Sequence, residues 1–256
     1  MKNPEDATLV QMVEGFKMFA GESVLGRATR RTRYEQAQTE SVKPFASLDA
    51  RWVFFDVGAS LGYWSLFAKR RLFPNGRVYA IEPSPRSFEL LCASIEVNGF
   101  TGVYPFNVAI SDVDGEIDFA LNVAHDGDHR LANLVPATDP YDTAGWQKQR
   151  VKTRRLDTLV AEQDIRLVPG MVFLKIDVQG AEPALFDGSA KLFAEARPVV
   201  LIESSGHHLS LTGHKEGYIE EWLRAQGYTT RRVSASGKGV FSYSDILAIP
   251  LGLGAR

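Results

Sequence analysis

The sequence predicts an α/β protein built on a mostly parallel sheet that an antiparallel pair of strands closes. From residue 52 onward, short apolar runs bounded by turn residues alternate with segments of helical period. Strand and helix in regular alternation are typical of parallel strands joined by right-handed crossovers. A chain of 256 residues, 45% of them hydrophobic, is long enough to bury one such core.

The individual elements follow from these runs in chain order. The predicted strands are 52–57, 77–81, 103–110, 151–154, 171–176 and 198–203, with 229–233 and 245–249 as the closing antiparallel pair. Helices are predicted around 64–68 and over 87–97, 156–163, 181–194 and 218–226. An Asp-Gly turn at 114–115, followed by alternating residues to 121, predicts an appended hairpin. The polar stretch 122–150 predicts a loop at the active site.

The chain is divided into an extension and a main domain. Leu9, Met12, Phe16 and Phe19 recur at helical spacing, so residues 1–50 are predicted to form an N-terminal helical extension that can act as a lid. Residues 51–256 then form the main domain, with the inserted hairpin and loop at about 112–155.

Composition excludes several classes of partner. A net charge of −2 and a pI near 6.2 give no overall attraction to nucleic acid or to anionic membranes. No apolar run approaches the roughly 18 residues that span a bilayer, and the N-terminus lacks the order of a signal peptide. A single cysteine, Cys92, excludes an intrachain disulfide. We therefore expect a cytoplasmic protein with a small-molecule or carbohydrate substrate, and a homodimer is left open.

A glycine-containing motif follows the first predicted strand: Asp56-Val-Gly58-Ala59-Ser60-Leu-Gly62. An open α/β sheet binds its ligand at this junction, where glycines allow close backbone approach. Pyrophosphate binding requires amides without a nearby carboxylate, whereas a ligand that carries an ammonium and a sulfonium tolerates one. Asp56 and Ser60 therefore favour S-adenosylmethionine over NAD. A tight turn without a ligand is the alternative for the motif alone.

An acidic residue at the end of the second strand strengthens the prediction of a nucleoside site. Glu82 lies where a carboxylate accepts hydrogen bonds from both ribose hydroxyls, although NAD enzymes place one there too. Further cofactor-binding candidates are the residues beside it and those at the end of the third strand: Pro83, Ser84, Asn107, Val108 and Ala109. For Val108 and Ala109, ordinary strand-end packing explains the positions equally well.

Four segments resemble the FkbM family of S-adenosylmethionine-dependent methyltransferases: 55–63, 107–112, 155–159 and, most specifically, Lys-Ile-Asp-Val-Gln-Gly-Ala-Glu at 175–182. The resemblance spans about residues 50–205, and the chain departs from the last block with Gln179, where a glutamate is usual. It implies a class I methyltransferase (Rossmann-like) three-layer fold. It also implies, commonly, O-methylation of hydroxyls on carbohydrates, glycolipids or polyketide-type metabolites.

Candidates for the acceptor side come from the later strands and loops. Asp177, at the end of the fourth core strand, is predicted to bind cofactor and to hold the acceptor hydroxyl or accept its proton, the alternative being a helix cap. Lys175 points the same way by strand alternation, and it is a substrate-binding candidate together with Glu203 and His125. The remaining catalytic candidates, His207 and His208, follow the fifth strand, although exposed loop positions would also explain them. No short ligand motif predicts a metal site.

The predicted function is methyl transfer from S-adenosylmethionine to a hydroxyl of a small molecule, a sugar or a polyketide-type metabolite. Two alternatives stay open. One is N-methylation of an amine or peptide. The other is a non-catalytic subunit that keeps the nucleoside pocket.

Overall fold

The computed structural model describes residues 6–21, 35–122, 128–135, 145–237 and 242–253. The strands within these ranges are Thr8–Gln11 (β1), Lys17–Ala20 (β2), Val53–Val57 (β3), Arg77–Ile81 (β4), Val103–Phe106 (β5), Ala109–Ile110 (β6), Gly115–Asn122 (β7), Arg130–Leu131 (β8), Trp146–Arg154 (β9), Val172–Ile176 (β10), Val199–Ser204 (β11), Tyr228–Ser236 (β12) and Tyr243–Pro250 (β13). The α-helices are Gln36–Val42 (α1), Tyr63–Phe67 (α2), Pro85–Val97 (α3), Leu156–Glu162 (α4), Glu182–Gly188 (α5), Ala190–Ala196 (α6), Gly206–Leu211 (α7) and Tyr218–Ala225 (α8).

The central sheet has seven strands in the order β12-β13-β11-β10-β3-β4-β5. Strands β11, β10, β3, β4 and β5 are parallel, whereas β13 pairs antiparallel with both β11 and β12. The prediction of a mostly parallel sheet closed by an antiparallel pair is confirmed.

Side chains of the core strands alternate between two buried faces, which produces three layers. Phe54, Phe173 and Leu201 pack on one face against the β1–β2 hairpin and α1–α3. Phe55, Leu174 and their neighbours pack on the other face against α4–α8. Strands that are buried on both faces explain the continuous apolar runs in the sequence.

The helix predicted over residues 9–19 is wrong. This segment is an antiparallel hairpin of β1 and β2, in which Leu9 pairs with Phe19. Gly15 turns the chain with a φ of +88°, and Met12 donates its backbone N–H to the Phe16 carbonyl. Buried residues four apart fit a helix or the two sides of a tight turn, and the turn glycine decides between them. Within the extension, the helix that the structure describes is α1.

Residues 112–121 were predicted to form a hairpin appended to the main sheet, but they form part of a separate sheet. Strand β7 pairs antiparallel with β9 and β8 in a separate four-stranded sheet of order β6-β9-β7-β8. Gly115 faces Thr153, so the Asp-Gly sequence does not connect two paired strands. Leu131 and Leu134 of this insert pack against Ala181, in the loop after β10. The insert therefore forms a wall beside the ends of the core strands.

The single helix predicted over 181–194 is divided into α5 and α6. A side chain at Gly188 would lie 2.0 Å from the Ser111 carbonyl oxygen, so the last turn of α5 fits closely against the chain that leads to the insert. The new N-terminus of α6 is capped by Asp157, which accepts hydrogen bonds from the amides of Lys191 and Leu192.

In the ranges that the structure describes, no helix combines the length and apolarity needed to cross a bilayer.

Candidate functional site

Four acidic residues lie at or next to the carboxyl ends of adjacent core strands. Asp56 is on β3, Glu82 follows β4, Asp177 follows β10 and Glu203 is on β11. Because these four strands are parallel neighbours in the sheet, their carboxyl ends share one edge. The predicted site residues of these strands are therefore brought to the same side of the molecule.

The glycine turn after β3 is required by packing within the protein. Gly58 has a φ of +80°, and a Cβ there would lie 1.8 Å from the carbonyl oxygen of Asp177. Gly62 has a φ of +93°, and its Cβ would lie 2.5 Å from Leu91 Cδ1. The amides of Gly58 and Ala59 donate to the Ile81 carbonyl. Both glycines thus join the turn to neighbouring elements.

Glu82 accepts one backbone hydrogen bond on each carboxylate oxygen. The Ser60 N–H donates to Oε2 and the Ser84 N–H donates to Oε1, both at 2.7 Å. Burial raises the pKa of Glu82 to about 7, against the lowering effect of the two amides. Each oxygen keeps a second lone pair, so the buried carboxylate fits a ligand that presents two hydroxyl donors, as the ribose of S-adenosylmethionine does.

Asp56 is directed into the protein interior. It is buried, and the Ser65 hydroxyl of α2 donates a 2.6 Å hydrogen bond to its Oδ2. Burial raises the pKa of Asp56 to about 6, while the Ser65 bond and Lys175 lower it. Its contacts hold the start of α2 against β3, and thereby fix the turn between them.

Lys175 is a buried ammonium in an acidic environment. Its Nζ lies 3.6 Å from Asp177 Oδ2 and donates a 3.4 Å hydrogen bond to the Ile176 carbonyl. Burial lowers its pKa, but the charges of Asp177, Glu35, Asp245 and Glu203 outweigh burial and raise the pKa overall. Lys175 therefore remains charged and compensates the acidic groups around it.

Gln179 connects the acidic ends of β10 and β11. Its Nε2 donates to Asp177 Oδ1 at 2.7 Å and to Glu203 Oε1 at 3.0 Å. Asp177 keeps 28% of its side-chain surface exposed, so it faces the crevice. Burial and the charge of Asp177 raise the pKa of Glu203 well above its ordinary value. Of the four carboxylates at the strand ends, Asp177 and Glu203 are half-buried, whereas Asp56 and Glu82 are buried.

The two histidines after β11 lie on α7. The His208 backbone N–H donates to Ser205 Oγ, and a Cβ at Gly180 would lie 3.2 Å from His208 Cβ. Burial, together with the charges of Arg130 and His207, lowers the pKa of His208 to about 3. A neutral imidazole with so low a pKa is a weak proton acceptor. The remaining histidine candidate, His125, lies outside the described residues.

The other cofactor candidates have structural contacts of their own. Ser84 is the N-cap of α3, and Pro83 follows Glu82 in the connection to it. Asn107 donates through Nδ2 to the carbonyls of Glu82 and Pro83. Val108 is partly buried, and Ala109 belongs to the core of the insert. Asn107 thus links the end of β5 to the segment after β4. Strand-end packing explains the position of Ala109.

Sequence reasoning missed several residues that surround Lys175. Glu35, before α1, accepts a 2.6 Å hydrogen bond from Trp64 Nε1, and burial raises its pKa to about 7. Asp245 of β13 is buried and accepts from Gln38 at 2.8 Å. An acidic residue within the mostly apolar strand β13 indicates a buried polar contact, so the sequence could have identified Asp245. Glu35 carried no signal, because its packing against the site is long-range.

Among the residues that the structure describes, no three His, Cys, Asp or Glu side chains are grouped so that they could hold a metal ion.

A model of the methyltransferase FkbM domain matches residues 56–230. The chain belongs to this family. The match covers the glycine turn, Glu82, the insert and the acidic strand ends. It confirms the predicted family and, with the observed topology, the class I methyltransferase fold. The FkbM domain is a methyltransferase domain that uses S-adenosylmethionine.

Individual relatives of this FkbM protein are distant. Methyltransferase sdnD of Sordaria araneosa is 25% identical over 174 residues, which is 60% of this chain and 67% of the relative. Methyltransferase 1 of Beauveria bassiana (strain ARSEF 2860) is 23% identical over 141 residues, which is 52% of this chain and 56% of the relative. The chain thus spans little more than half of the second relative.

The crystal structure of Methyltransferase FkbM from Methylobacillus flagellatus KT is 15% identical and superposes with a TM-score of 0.48. The superposition covers 77% of this chain and 44% of that chain.

Proposed function

We propose that this FkbM domain transfers a methyl group from S-adenosylmethionine to a hydroxyl of a small molecule, a sugar or a polyketide-type metabolite. The observation that carries the proposal is the position of Asp177. Its carboxylate is partly exposed at the centre of the strand ends, Gln179 holds Oδ1, and Oδ2 lies 3.6 Å from the Lys175 ammonium.

The cofactor side of the proposal rests on Glu82. Its buried carboxylate is held by two amides and has lone pairs that two ribose hydroxyls can use. Ser60 and Ser84 supply those amides, and Asn107 fixes the connection behind them. These residues would hold the nucleoside at the carboxyl ends of β3 and β4, beside the end of β10 that carries Asp177.

On the acceptor side, Asp177 is the proposed base. A carboxylate in hydrogen-bond contact with a hydroxyl can accept its proton, which contributes roughly 10²–10⁴ in rate. His208 is less suited to this task, because its pKa is lowered to about 3. Alignment of the acceptor oxygen with the methyl group contributes more, on the order of 7–11 kcal/mol. Asp177 serves both purposes when it holds the hydroxyl.

Lys175 supports a hydroxyl acceptor over an amine. An acceptor atom that contacts Asp177 Oδ2 lies close to a fixed positive charge. That charge repels a protonated amine, and it stabilises the negative charge that develops on an oxygen as its proton leaves.

The test is methyl transfer from isotopically labelled S-adenosylmethionine to pooled sugars, phenols and polyketide-type alcohols, followed by mass spectrometry of the products. We expect a methyl ether from the wild type and a rate about 10²–10⁴ lower for Asp177→Asn. The exposed Asp187 on α5 provides the matched control, since Asp187→Asn makes the same change away from the strand ends.

Three results would contradict the proposal. A methylated amine as the product would replace the hydroxyl acceptor by a nitrogen. Unchanged turnover in Asp177→Asn would remove Asp177 as the base. Tight binding of S-adenosylhomocysteine without turnover on any acceptor class would favour a non-catalytic nucleoside-binding subunit.

A further inference from the structure

One amide group ties together the two carboxylates at the ends of β10 and β11. Gln179 uses both hydrogens of Nε2, one toward Asp177 Oδ1 and the other toward Glu203 Oε1. A carboxylate at this position cannot make these bonds, because an ionised carboxylate has no hydrogen to donate. The two hydrogen bonds therefore depend on the glutamine. Gln179 is also the one position where this chain differs from the Lys-Ile-Asp-Val-Glu-Gly-Ala-Glu pattern.

The loop backbone that carries this amide is in an unfavourable conformation. Gln179 has a φ of +50°. This is the left-handed region of the backbone, which residues other than glycine, asparagine and aspartate rarely occupy. The next residue, Gly180, also has a positive φ, and it packs against His208 of α7. The loop is thus fixed on both sides, and the side chain of Gln179 is directed back over the strand ends.

The charges around Glu203 determine how a change at position 179 affects the pKa of this acid. The charge of Asp177 and burial raise the pKa of Glu203, whereas Lys175 lowers it. Glu35, before α1, and Asp245, opposite Glu203 on the paired strand β13, also raise it. A neutral donor at this position adds no negative charge beside Glu203, whereas a third carboxylate there would raise the pKa of Glu203 further.

We propose that Gln179 is a positioning residue that holds Oδ1 of Asp177 and thereby presents Oδ2 to the acceptor hydroxyl. This rests on the function proposed above. S-adenosylmethionine supplies the methyl group, whose C–S bond breaks with the electron pair staying on sulfur as the acceptor oxygen forms the C–O bond. The hydroxyl proton passes to Oδ2 of Asp177. Oδ1 remains bound to Gln179 throughout, so the carboxylate does not rotate.

Two variants distinguish the effect of the amide donor from the effect of the side-chain shape. Gln179→Glu keeps the shape and replaces the donor by an acceptor. Gln179→Gly removes the side chain and suits the positive φ, so the loop backbone is not strained. Gln149→Glu, on the exposed part of β9, makes the same chemical change on the surface and is the control.

The first measurement is the pH profile of turnover on a hydroxyl acceptor that the wild type methylates. For Gln179→Glu we expect kcat to fall at least tenfold and the acidic limb to move up by about one pH unit, because a third carboxylate then stands beside the pair of acids. Gln179→Gly should lower kcat without an upward shift of that size. The KM for S-adenosylmethionine should stay within about twofold, because Glu82 is unchanged. The control should keep the wild-type profile.

The second measurement needs no turnover. Carboxyl ¹³C chemical shifts of cofactor-free protein, followed against pH, should give a higher midpoint for Glu203 in Gln179→Glu than in the wild type. Unchanged midpoints for both Asp177 and Glu203 would overturn the inference, and so would an unmoved acidic limb in an active enzyme. Absence of hydroxyl methylation by the wild type, with the Glu203 midpoint raised as expected, would overturn the proposed function and leave the link between Gln179 and the two acids standing.

Discussion

The carbonyl oxygen of Asp177 occupies the space beside Gly58 where any other residue would carry its Cβ. The two atoms would be 1.8 Å apart, and Gly58 also has a φ of +80°. The loop that carries the proposed base and the turn that is proposed to border the nucleoside are therefore packed directly on each other. A change in one backbone moves the other.

Gly58→Ala should destabilise the protein by about 3 kcal/mol or more, because the methyl group has no space and the backbone must shift. Gly99 is a suitable control: it has a φ of +62°, but its Cβ would meet no atom within 4 Å. Gly99→Ala should cost only the conformational strain, about 1 kcal/mol. Urea unfolding of both variants measures the difference, and equal losses would show that the contact with Asp177 is unimportant.

Lys175→Met should destabilise the protein by about 3–5 kcal/mol at pH 8, because it leaves buried and half-buried carboxylates without their counter-charge. The loss should be smaller at pH 5.5, where acids with raised pKa values, such as Glu35, take up protons. Lys191→Met, on the exposed face of α6, should change stability little at either pH. A loss that does not depend on pH would mean that packing, and not charge, is what Lys175 supplies.

The stability of the cofactor-free protein should depend on pH through buried Glu182. Gly180 N–H donates to this carboxylate, and burial raises its pKa from 4.5 to about 7. A carboxyl group whose pKa is higher in the folded state binds its proton more tightly there. Its contribution to stability is therefore complete below pH 4.5 and is lost as the pH rises toward 7.

Glu182→Gln should remove this contribution, which amounts to at most about 3 kcal/mol. The free energy of unfolding should then fall less between pH 4.5 and pH 8 than in the wild type. Glu195→Gln, at an exposed position of α6, should keep the wild-type slope. If Glu182→Gln keeps that slope as well, the pKa of Glu182 is not raised by folding.

Local patterns were sufficient to predict the core strands and the convergence of their acidic ends. Asp177 and Glu203 meet because parallel strands end at one edge, which depends on strand order and alternation alone. The same reasoning did not show that Asp56 faces Ser65, since a strand-end acid can point to a ligand or to the following helix. That choice depends on packing in three dimensions.

The parts that escaped prediction depend on contacts between distant segments. Glu35 reaches the site only because α1 packs over the sheet, and no periodicity encodes that contact. The β1–β2 hairpin is held by α3, where Ser94 Oγ accepts from the Phe19 amide at 2.9 Å. The spacing of apolar residues within 9–19 fits a helix equally well. Contacts with other segments, such as α3, therefore decide that this segment forms a hairpin.

S-adenosylmethionine is proposed to bind over β3 and β4 with its ribose on Glu82. The most direct measurement is calorimetric titration of S-adenosylhomocysteine into the wild type, Glu82→Gln and, as the exposed control on α3, Glu89→Gln. We predict binding to the wild type and to the control, and at least about tenfold weaker binding to Glu82→Gln, which lacks one acceptor oxygen. Equal affinity of all three proteins, or tighter binding of NAD, would contradict the account.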